Sequence, residues 1–315
     1  MDLGSSGRRA AVAAATSGRG LATAVALANE GVHVAICGRD GDRLAAAADT
    51  VGHGCVPIVA AVSSRDGATA FVEAAIDALG AVDILVPNAG GPPPGNFAST
   101  PLEAYPAALD LNLMSVVAMC QAAVPAMLDR GWGRVVAITS LSVRQPMANL
   151  ILSNTARAGA TAFLKTLALE VAAGGVTVNS VQPGLHRTPR VDALYGAEQR
   201  QHMRMGEASA FGQIVAFLCG EHAAVGGDQI GDERHRPDLC GDDDAPDAEQ
   251  QARHAAGVLV CKQVQREPSG QPDHPQRERD AADEEEEPER LVQREAADDR
   301  LRRAPDVARR TLDQS

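Results

Sequence analysis

The sequence predicts an α/β fold, a doubly wound parallel sheet in a single domain. Short apolar runs alternate with longer amphipathic segments up to residue 185, the pattern of a parallel sheet built from βαβ units. The charge is divided unevenly, since residues 1–220 hold 16 acidic and 15 basic side chains and residues 221–315 hold 25 and 14. The last aromatic residue is Phe217. We therefore predict a folded domain over residues 1–222 and a low-complexity, acidic, disordered tail over residues 223–315.

Six short apolar runs are the predicted strands, and four amphipathic stretches are the main predicted helices between them. The helical stretches have apolar residues at i, i+3, i+4 and i+7. The predicted strands cover residues 9–14, 32–37, 56–62, 84–87, 134–139 and 176–181. The predicted helices cover residues 21–29, 68–79, 102–128 and 154–173. In such sheets ligands bind beyond the carboxyl ends of the strands, so the residues just after each strand are the candidates for a site.

Composition and charge disfavour several functional classes. A near-neutral body and an acidic tail offer no basic surface for nucleic acid. The longest apolar stretch, residues 111–128, contains Asn112, Gln121 and Pro125, so we expect a buried core helix and no membrane partner. The first ten residues have no apolar run after the arginines, which predicts a cytoplasmic protein. The six cysteines are widely spaced, which predicts reduced thiols and no metal site.

The segment after the first predicted strand has the composition of a phosphate-binding loop. Residues 14–20 read Ala-Ala-Thr-Ser-Gly-Arg-Gly and precede a helix-forming stretch. Glycines let backbone N–H groups approach a pyrophosphate at a helix N-terminus, where the helix dipole favours negative charge. This context of strand, loop and helix makes a short glycine motif informative. The candidate cofactor-binding residues in it are Ser17, Gly18, Arg19 and Gly20.

The second predicted strand is followed by Arg39, about twenty residues after the glycine loop, where the ribose of a dinucleotide lies. An acidic residue there would bind the ribose 2′-hydroxyl, whereas an arginine suits a 2′-phosphate. Arg39 therefore predicts NADP as the cofactor in preference to NAD. The alternative interpretation is a solvated arginine ahead of a helix cap at Asp40.

Together these residues resemble the short-chain dehydrogenase/reductase family over about residues 7–222. The glycine loop is similar to the family's TGxxxGxG, with Ala14 in place of the first glycine. The resemblance implies a Rossmann-type fold that binds a nicotinamide cofactor. Similarity to the family's NNAG and PGxxxT segments adds cofactor-binding roles for Asn88, Ala89, Gly90, Pro183, Gly184 and Thr188. Residues 91–95 and 152–154 further resemble a 3-oxoacyl carrier-protein reductase-like branch.

The resemblance also assigns the catalytic positions, and two of them depart from the family. Asn112 matches the family's catalytic asparagine and Ser140 its catalytic serine. The positions of the family's tyrosine and lysine hold Ser153 and Arg157. Because residues 167–170 match the family's LALE stretch at the usual distance, these are substitutions and not a misalignment.

The two substitutions change the expected acid chemistry. A tyrosine, with an unperturbed pKa of about 10, donates a proton near neutrality when a cation lies beside it. A serine hydroxyl is a far weaker acid, and a guanidinium does not deprotonate in proteins. The hypothesis is therefore that Ser140 and Ser153 donate hydrogen bonds while water supplies the proton, with Arg157 at the nicotinamide ribose.

The resemblance implies an NADP(H)-dependent oxidoreductase that interconverts a ketone, such as a 3-oxoacyl group, and a secondary alcohol. Its partners would be a small-molecule substrate and copies of the same chain in a homodimer or homotetramer. The alternative is a catalytically silent NADP(H)-binding homologue that acts as a sensor or as an oligomer subunit. The loss of the tyrosine favours that alternative.

The family has a closing strand after its last helix, whereas no strand pattern follows residue 222 here. Two interpretations of residues 223–315 stay open: a frameshifted reading of a GC-rich gene, and an acidic disordered tail that binds a basic partner. If the closing strand is essential, a third interpretation is a gene product with defective folding, since an unpaired sheet edge promotes aggregation.

Overall fold

The computed structural model describes residues 2–225 and 258–261. In this part of the chain seven strands form one sheet. They are β1 Arg9–Val12, β2 His33–Gly38, β3 Val56–Val59, β4 Ile84–Val86, β5 Gly133–Ile138, β6 Val176–Pro183 and β7 Val258–Cys261. Their order is β3-β2-β1-β4-β5-β6-β7, and β1 to β6 are parallel. The predicted α/β class and doubly wound parallel sheet are confirmed, and the topology switches direction between β1 and β4.

Helices cover both faces of the sheet. They are α1 Gly18–Asn29, α2 Gly41–Val51, α3 Arg65–Leu79, α4 Ala104–Leu109, α5 Ser115–Asp129, α6 Ile151–Val171, α7 Pro189–Leu194, α8 Ala197–Gln201, α9 Ala208–Cys219 and α10 His222–Val225. The single helix predicted over residues 102–128 is α4 and α5, joined by the π-helical turn Asp110–Met114. Helix α2 was not among the four main predicted helices, but its start agrees with the alternative interpretation of Arg39, since the N-cap Asp40 accepts a hydrogen bond from the Arg43 backbone N–H at 3.0 Å.

The alternation of side chains along the central strands divides the core into two layers. Ala10 and Val12 of β1 belong to the cluster that packs against α1, α2 and α9. Ala11 of the same strand belongs to the cluster that packs against α3, α5 and α6. The segment Ala104–Asp129 is long and apolar enough to cross a membrane by length and composition. Residues of α5 such as Met119 are fully buried in the second cluster, so this helix is part of the core, as predicted.

The prediction that no strand follows residue 222 is wrong at β7. Val258–Cys261 pairs with β6 in the antiparallel direction, and Val181 lies opposite Val260. The reason is that a four-residue apolar run with two valines suffices to pair with an existing edge, although such a run is too short to show an alternating pattern. The rest of residues 226–315, to which the predicted disorder and the frameshift interpretation refer, lies outside the described residues.

A buried carboxylate connects three elements at the amino end of β4. Asp83 is 2% exposed. One of its oxygens accepts hydrogen bonds from Nε of Arg9 at 2.7 Å and from the Arg9 backbone N–H at 3.1 Å. The other oxygen accepts from Nη2 of Arg9 at 3.0 Å and lies 3.4 Å from Nη2 of Arg130. These partners compensate the carboxylate for its lost hydration.

Asp83→Ala is expected to lower the free energy of unfolding by about 3 kcal/mol, because two partly buried guanidinium groups lose their common partner. Urea denaturation of the variant and of the unchanged protein measures this loss. Asp77→Ala is the matched control, since Asp77 is exposed on α3, and a change below about 0.5 kcal/mol is expected there. Equal effects of the two substitutions would contradict the role assigned to Asp83.

Candidate active site

The glycine loop bends tightly between β1 and α1. Gly18 has φ +59°, in the left-handed region that favours glycine. A Cβ on Gly20 would lie 2.8 Å from the carbonyl oxygen of Ala14, so only glycine allows this close approach of backbone to backbone. Ala14, which replaces a glycine of the family pattern, also has a positive φ of 47°, which costs about 1 kcal/mol for a non-glycine residue.

Asn88 supports this loop from the end of β4. Its Nδ2 donates hydrogen bonds to the carbonyl oxygens of Ala13 at 3.1 Å and of Ala14 at 3.2 Å. A Cβ on Gly20 would lie 2.9 Å from the same nitrogen. The predicted cofactor role of Asn88 is thus one of positioning, since its amide fixes the conformation of the glycine loop.

The segment after β6 meets the glycine loop from the other side. The Thr188 methyl group lies 3.3 Å from the position of a Cβ on Gly18. The Oγ1 of Thr188 is buried and has no hydrogen-bond partner among the described residues. Pro183 ends β6, and the carbonyl oxygen of Gly184 lies 3.3 Å from Nδ1 of His186. The predicted cofactor-binding segments after β1, β4 and β6 therefore lie side by side at the carboxyl edge of the sheet.

Arg39 lies next to β2 at the same edge. Its side chain is exposed, and no hydrogen bond or ion pair with another described residue involves it. The neighbouring Asp40 uses its carboxylate to cap α2. Thr16 of the glycine loop packs directly over Gly38, where a Cβ would collide with the threonine methyl group. An anionic group beside this contact would meet the Arg39 guanidinium. The neighbouring Asp40 carboxylate already accepts a hydrogen bond from the backbone of α2.

Asn112 and Arg157 converge on one carbonyl group. The Nδ2 of Asn112 donates to the Gly90 oxygen at 2.9 Å, and Nη2 of Arg157 donates to it at 3.4 Å. The Nη1 of Arg157 donates to the carbonyl oxygens of Ile138 and Thr139 at 3.0 and 3.2 Å. The π-helical turn places Asn112 at this point, and π turns of this kind are frequent at functional sites. The Oδ1 of Asn112 is buried without a partner among the described residues.

The two candidate catalytic serines have different surroundings. The Oγ of Ser140 accepts a hydrogen bond from the Ser142 backbone N–H at 3.1 Å, so its own hydroxyl proton is free to be donated. Ser153 is 7% exposed and lies one turn before Arg157 on the same face of α6. Within the described part of the chain no hydrogen bond of the Ser153 side chain is present. Both hydroxyl groups are thus available to a ligand.

Three arginines lie at the site. One of them, Arg190, was not among the site residues predicted from the sequence. Arg190, on α7, donates from Nη2 to the carbonyl oxygen of Pro92 at 2.7 Å. Burial and repulsion from the Arg190 charge lower the pKa of Arg19 to about 10. Burial and repulsion from Arg19 and Arg190 lower the pKa of Arg157 to about 10. All three remain protonated near pH 7, and no described carboxylate forms an ion pair with any of them. The feature of the sequence that could have identified Arg190 is its position, two residues after the predicted cofactor-binding Thr188.

His186, in the segment after β6, is not a proton donor near pH 7. It is 1% exposed and its ring meets that of Phe211 edge to face, with centroids 5.3 Å apart. Burial lowers its pKa, so the imidazole is neutral near pH 7. Among residues 2–225 and 258–261, no group of three His, Cys, Asp or Glu side chains could hold a metal ion.

The arrangement fits a dinucleotide. Gly18 and Gly20 allow the loop to pack tightly against Ala14, Asn88 and Thr188, a conformation in which backbone N–H groups at the start of α1 can approach a pyrophosphate. Thr188 and Asn112 each present a buried acceptor without a described partner. An amide such as the carboxamide of nicotinamide has the donors that these acceptors lack.

Comparisons with known proteins agree with the fold and show the family. The profile of the family described as short chain dehydrogenase matches residues 8–199. Dehydrogenase/reductase SDR family member 4 of Oryctolagus cuniculus is 34% identical over 227 residues, which are 68% of this chain and 87% of the relative.

Two solved structures are similar to this chain. L-sorbose reductase from Gluconobacter frateurii, complexed with NADPH and L-sorbose, is 29% identical with a TM-score of 0.66, covering 71% of this chain and 94% of that one. A 7α-hydroxysteroid dehydrogenase complexed with NADH and 7-oxo glycochenodeoxycholic acid is 26% identical with a TM-score of 0.67, covering 71% and 91%. The fold, the matched residues and these relatives agree: this chain belongs to the short-chain dehydrogenase/reductase family.

Proposed function

We propose that the protein is an NADP(H)-dependent oxidoreductase that interconverts a ketone and a secondary alcohol. The observation that carries the proposal is the convergence of Asn112 and Arg157 on the Gly90 carbonyl group. This point lies beside the end of β5, where Ser140 offers a free hydroxyl proton. It also adjoins the loops that fit a dinucleotide. A polarising donor, a fixed cation and a cofactor cradle are the parts that carbonyl reduction requires.

The named relatives support an enzyme in preference to a silent binding protein. They are a reductase complexed with a keto sugar and a dehydrogenase complexed with an oxo steroid acid. A 3-oxoacyl compound is the substrate that the branch resemblance of residues 91–95 and 152–154 favours. The first test is oxidation of NADPH by the purified full-length chain with a panel of ketones that includes a 3-oxoacyl thioester. Cofactor binding without turnover on any ketone would favour the silent alternative.

In the proposed mechanism a bound nicotinamide supplies the hydride. Ser140 donates its hydroxyl proton to the substrate oxygen in a hydrogen bond, and Ser153 provides a second donor. Arg157, fixed by the carbonyl groups of Ile138 and Thr139, would hold the nicotinamide ribose, and its positive charge would favour negative charge that develops nearby. Arg157 keeps its proton, since its pKa stays at about 10. A water molecule therefore supplies the proton that the family's tyrosine would otherwise provide.

The preference for NADP rests on the charge at the end of β2. Arg39 is exposed and free of other partners in the described residues, whereas the carboxylate of Asp40 caps α2. A guanidinium forms bidentate hydrogen bonds with a phosphate, whereas one oxygen of the Asp40 carboxylate is already used by the helix cap.

Arg39→Ala is expected to weaken NADPH binding by about tenfold and to leave NADH binding within about twofold, because only NADPH has the 2′-phosphate. Nicotinamide fluorescence measures both affinities. Arg43→Ala, an exposed arginine one turn further along α2, is the matched control and should alter neither. An equal loss of both cofactors in Arg39→Ala would contradict the assignment.

Family members act on small molecules and often form oligomers, and we propose a homodimer or homotetramer for this chain. We also propose a reducing, cytoplasmic location. Cys37, Cys120 and Cys219 are free and buried, and burial raises the pKa of each thiol to about 12. Such thiols act as small apolar core residues.

A further inference from the structure

The site contains one arginine, Arg190, to which the proposed cofactor binding and reduction assign no role. Arg19 belongs to the glycine loop itself, so a cofactor pyrophosphate is its natural partner. Arg157 is held by the backbone carbonyl groups of Ile138, Thr139 and Gly90. Arg190 belongs to neither position, since it extends from α7 to the segment that follows β4. Its charge has no described carboxylate as a partner.

The position of Arg190 is held by the backbone. Its Nη2 donates to the Pro92 carbonyl oxygen at 2.7 Å. A Cβ on Gly91 would lie 2.6 Å from the same nitrogen, so the guanidinium crosses the chain where a glycine leaves room for it. No described residue accepts a hydrogen bond from its Nε or Nη1, which leaves donors available to a ligand.

Arg190 lies close to the reacting groups. The carbonyl group that it binds, of Pro92, is two residues from the Gly90 carbonyl group that Asn112 and Arg157 bind. Two residues of extended chain span about 7 Å, the length of a small substrate. The positive charge of Arg190 lowers the pKa of Arg157, which agrees with this proximity.

We infer that Arg190 binds a carboxylate group of the substrate, so that the preferred substrates are oxo acids and not neutral ketones. The inference rests on the proposed ketone reduction and narrows its substrate class to oxo acids, in place of the 3-oxoacyl thioesters that the branch resemblance favours. A carboxylate offers two acceptors to a guanidinium and neutralises a cation that is partly removed from water. The reacting carbonyl carbon would then lie a few bonds from the carboxylate, at Asn112, Ser140 and Arg157.

The experiment compares oxo acids with neutral compounds of the same carbon skeleton. The panel contains 2-, 3- and 4-oxo acids of four or five carbons and the methyl ester of each. Each turnover consumes one NADPH and one proton and converts one oxo acid to one hydroxy acid. In the unchanged protein at least one acid is expected to exceed its ester in kcat/KM by about 30-fold, the worth of a charged hydrogen-bond pair. Equal rates for every acid and its ester would overturn the inference.

Arg190→Ala should remove that preference, lowering kcat/KM for the acid by about 30-fold and leaving that for the ester within about threefold. Arg190→Lys should retain part of the preference, since it keeps the charge without the planar donor pair. Arg187→Ala is the matched control, because Arg187 lies on the same segment but pairs with Glu207 at 2.9 Å, and it should keep the full preference.

Two binding measurements, made without turnover, show whether Arg190 binds a substrate carboxylate or a cofactor phosphate. The oxo acid alone should raise the melting temperature of the unchanged protein, and this rise should disappear in Arg190→Ala. NADPH affinity, followed by nicotinamide fluorescence, should be the same in both proteins. Weaker NADPH binding in Arg190→Ala with an unchanged acid preference would assign the arginine to a cofactor phosphate and overturn the inference. If the unchanged protein bound NADPH but reduced no ketone while the acid still raised the melting temperature, the proposed function would fail and carboxylate binding would stand.

Discussion

Gly20→Ala is expected to weaken NADPH binding by about 100-fold and to lower the melting temperature. The added Cβ would lie 2.8 Å from the Ala14 carbonyl oxygen and 2.9 Å from Nδ2 of Asn88, and neither group has room to move. Asn88 is held by two hydrogen bonds to the loop, so relief requires the whole glycine loop to shift. A shift that costs about 3 kcal/mol corresponds to roughly 100-fold in affinity.

Gly41→Ala serves as the control for this substitution. Gly41 also begins a helix, but a Cβ there would meet nothing within 4 Å. The control should bind NADPH as the unchanged protein does and should be equally or slightly more stable, because alanine favours a helix over glycine. The measurements are fluorescence titration and thermal unfolding. Normal NADPH affinity in Gly20→Ala would show that the cofactor does not approach this loop.

Ser140→Ala is expected to lower kcat by about 100-fold while NADPH affinity stays within about twofold. The hydroxyl proton of Ser140 is free to be donated at the end of β5, because its oxygen accepts from the Ser142 backbone N–H. Removal of a donor to the developing negative charge costs about 100-fold or more in other enzymes. Steady-state kinetics on the best ketone of the panel measures the effect.

Ser140→Ala also removes the hydrogen bond that Ser140 accepts from the Ser142 backbone N–H. Ser64→Ala is the control, because it removes a similar capping hydrogen bond away from the site. Ser64 accepts from the Gly67 backbone N–H at 3.2 Å at the start of α3, so its loss should reduce stability without reducing kcat. Ser140→Thr keeps the hydroxyl group and should retain more activity than Ser140→Ala. Unchanged turnover in Ser140→Ala would exclude the hydrogen-bond mechanism.

The position of the glycine loop could be predicted from the sequence, because the residues that identify it are neighbours in the chain. A strand, a glycine-rich turn and a helix follow one another within residues 9–29, so no distant contact is needed to recognise them. The six parallel strands could be predicted for the same reason, because each is a short apolar run that alternates with a helical segment. The limit of this prediction was β7, since a four-residue strand depends on the edge offered by β6 and not on its own pattern.

The roles of individual side chains could not be predicted in the same way. Asn88 was a candidate cofactor ligand, and only the fold shows that its amide nitrogen is used to hold the Ala13 and Ala14 carbonyl groups. Arg190 carries no motif of its own. Its importance comes from Gly91 and Pro92, which are about a hundred residues away in the chain and adjacent in space.

The sequence by itself determined the fold class and the family, because these follow from local patterns and from their spacing. The assignment of Ser153 and Arg157 to the family's tyrosine and lysine positions stays a prediction from that spacing. Only the tertiary structure decided where the charges meet. Arg19, Arg157 and Arg190 come from three separate segments and influence one another only after the carboxyl ends of β1, β4, β5 and β6 are aligned. Electrostatic interaction depends on distance and burial, and neither quantity is present in an unfolded sequence.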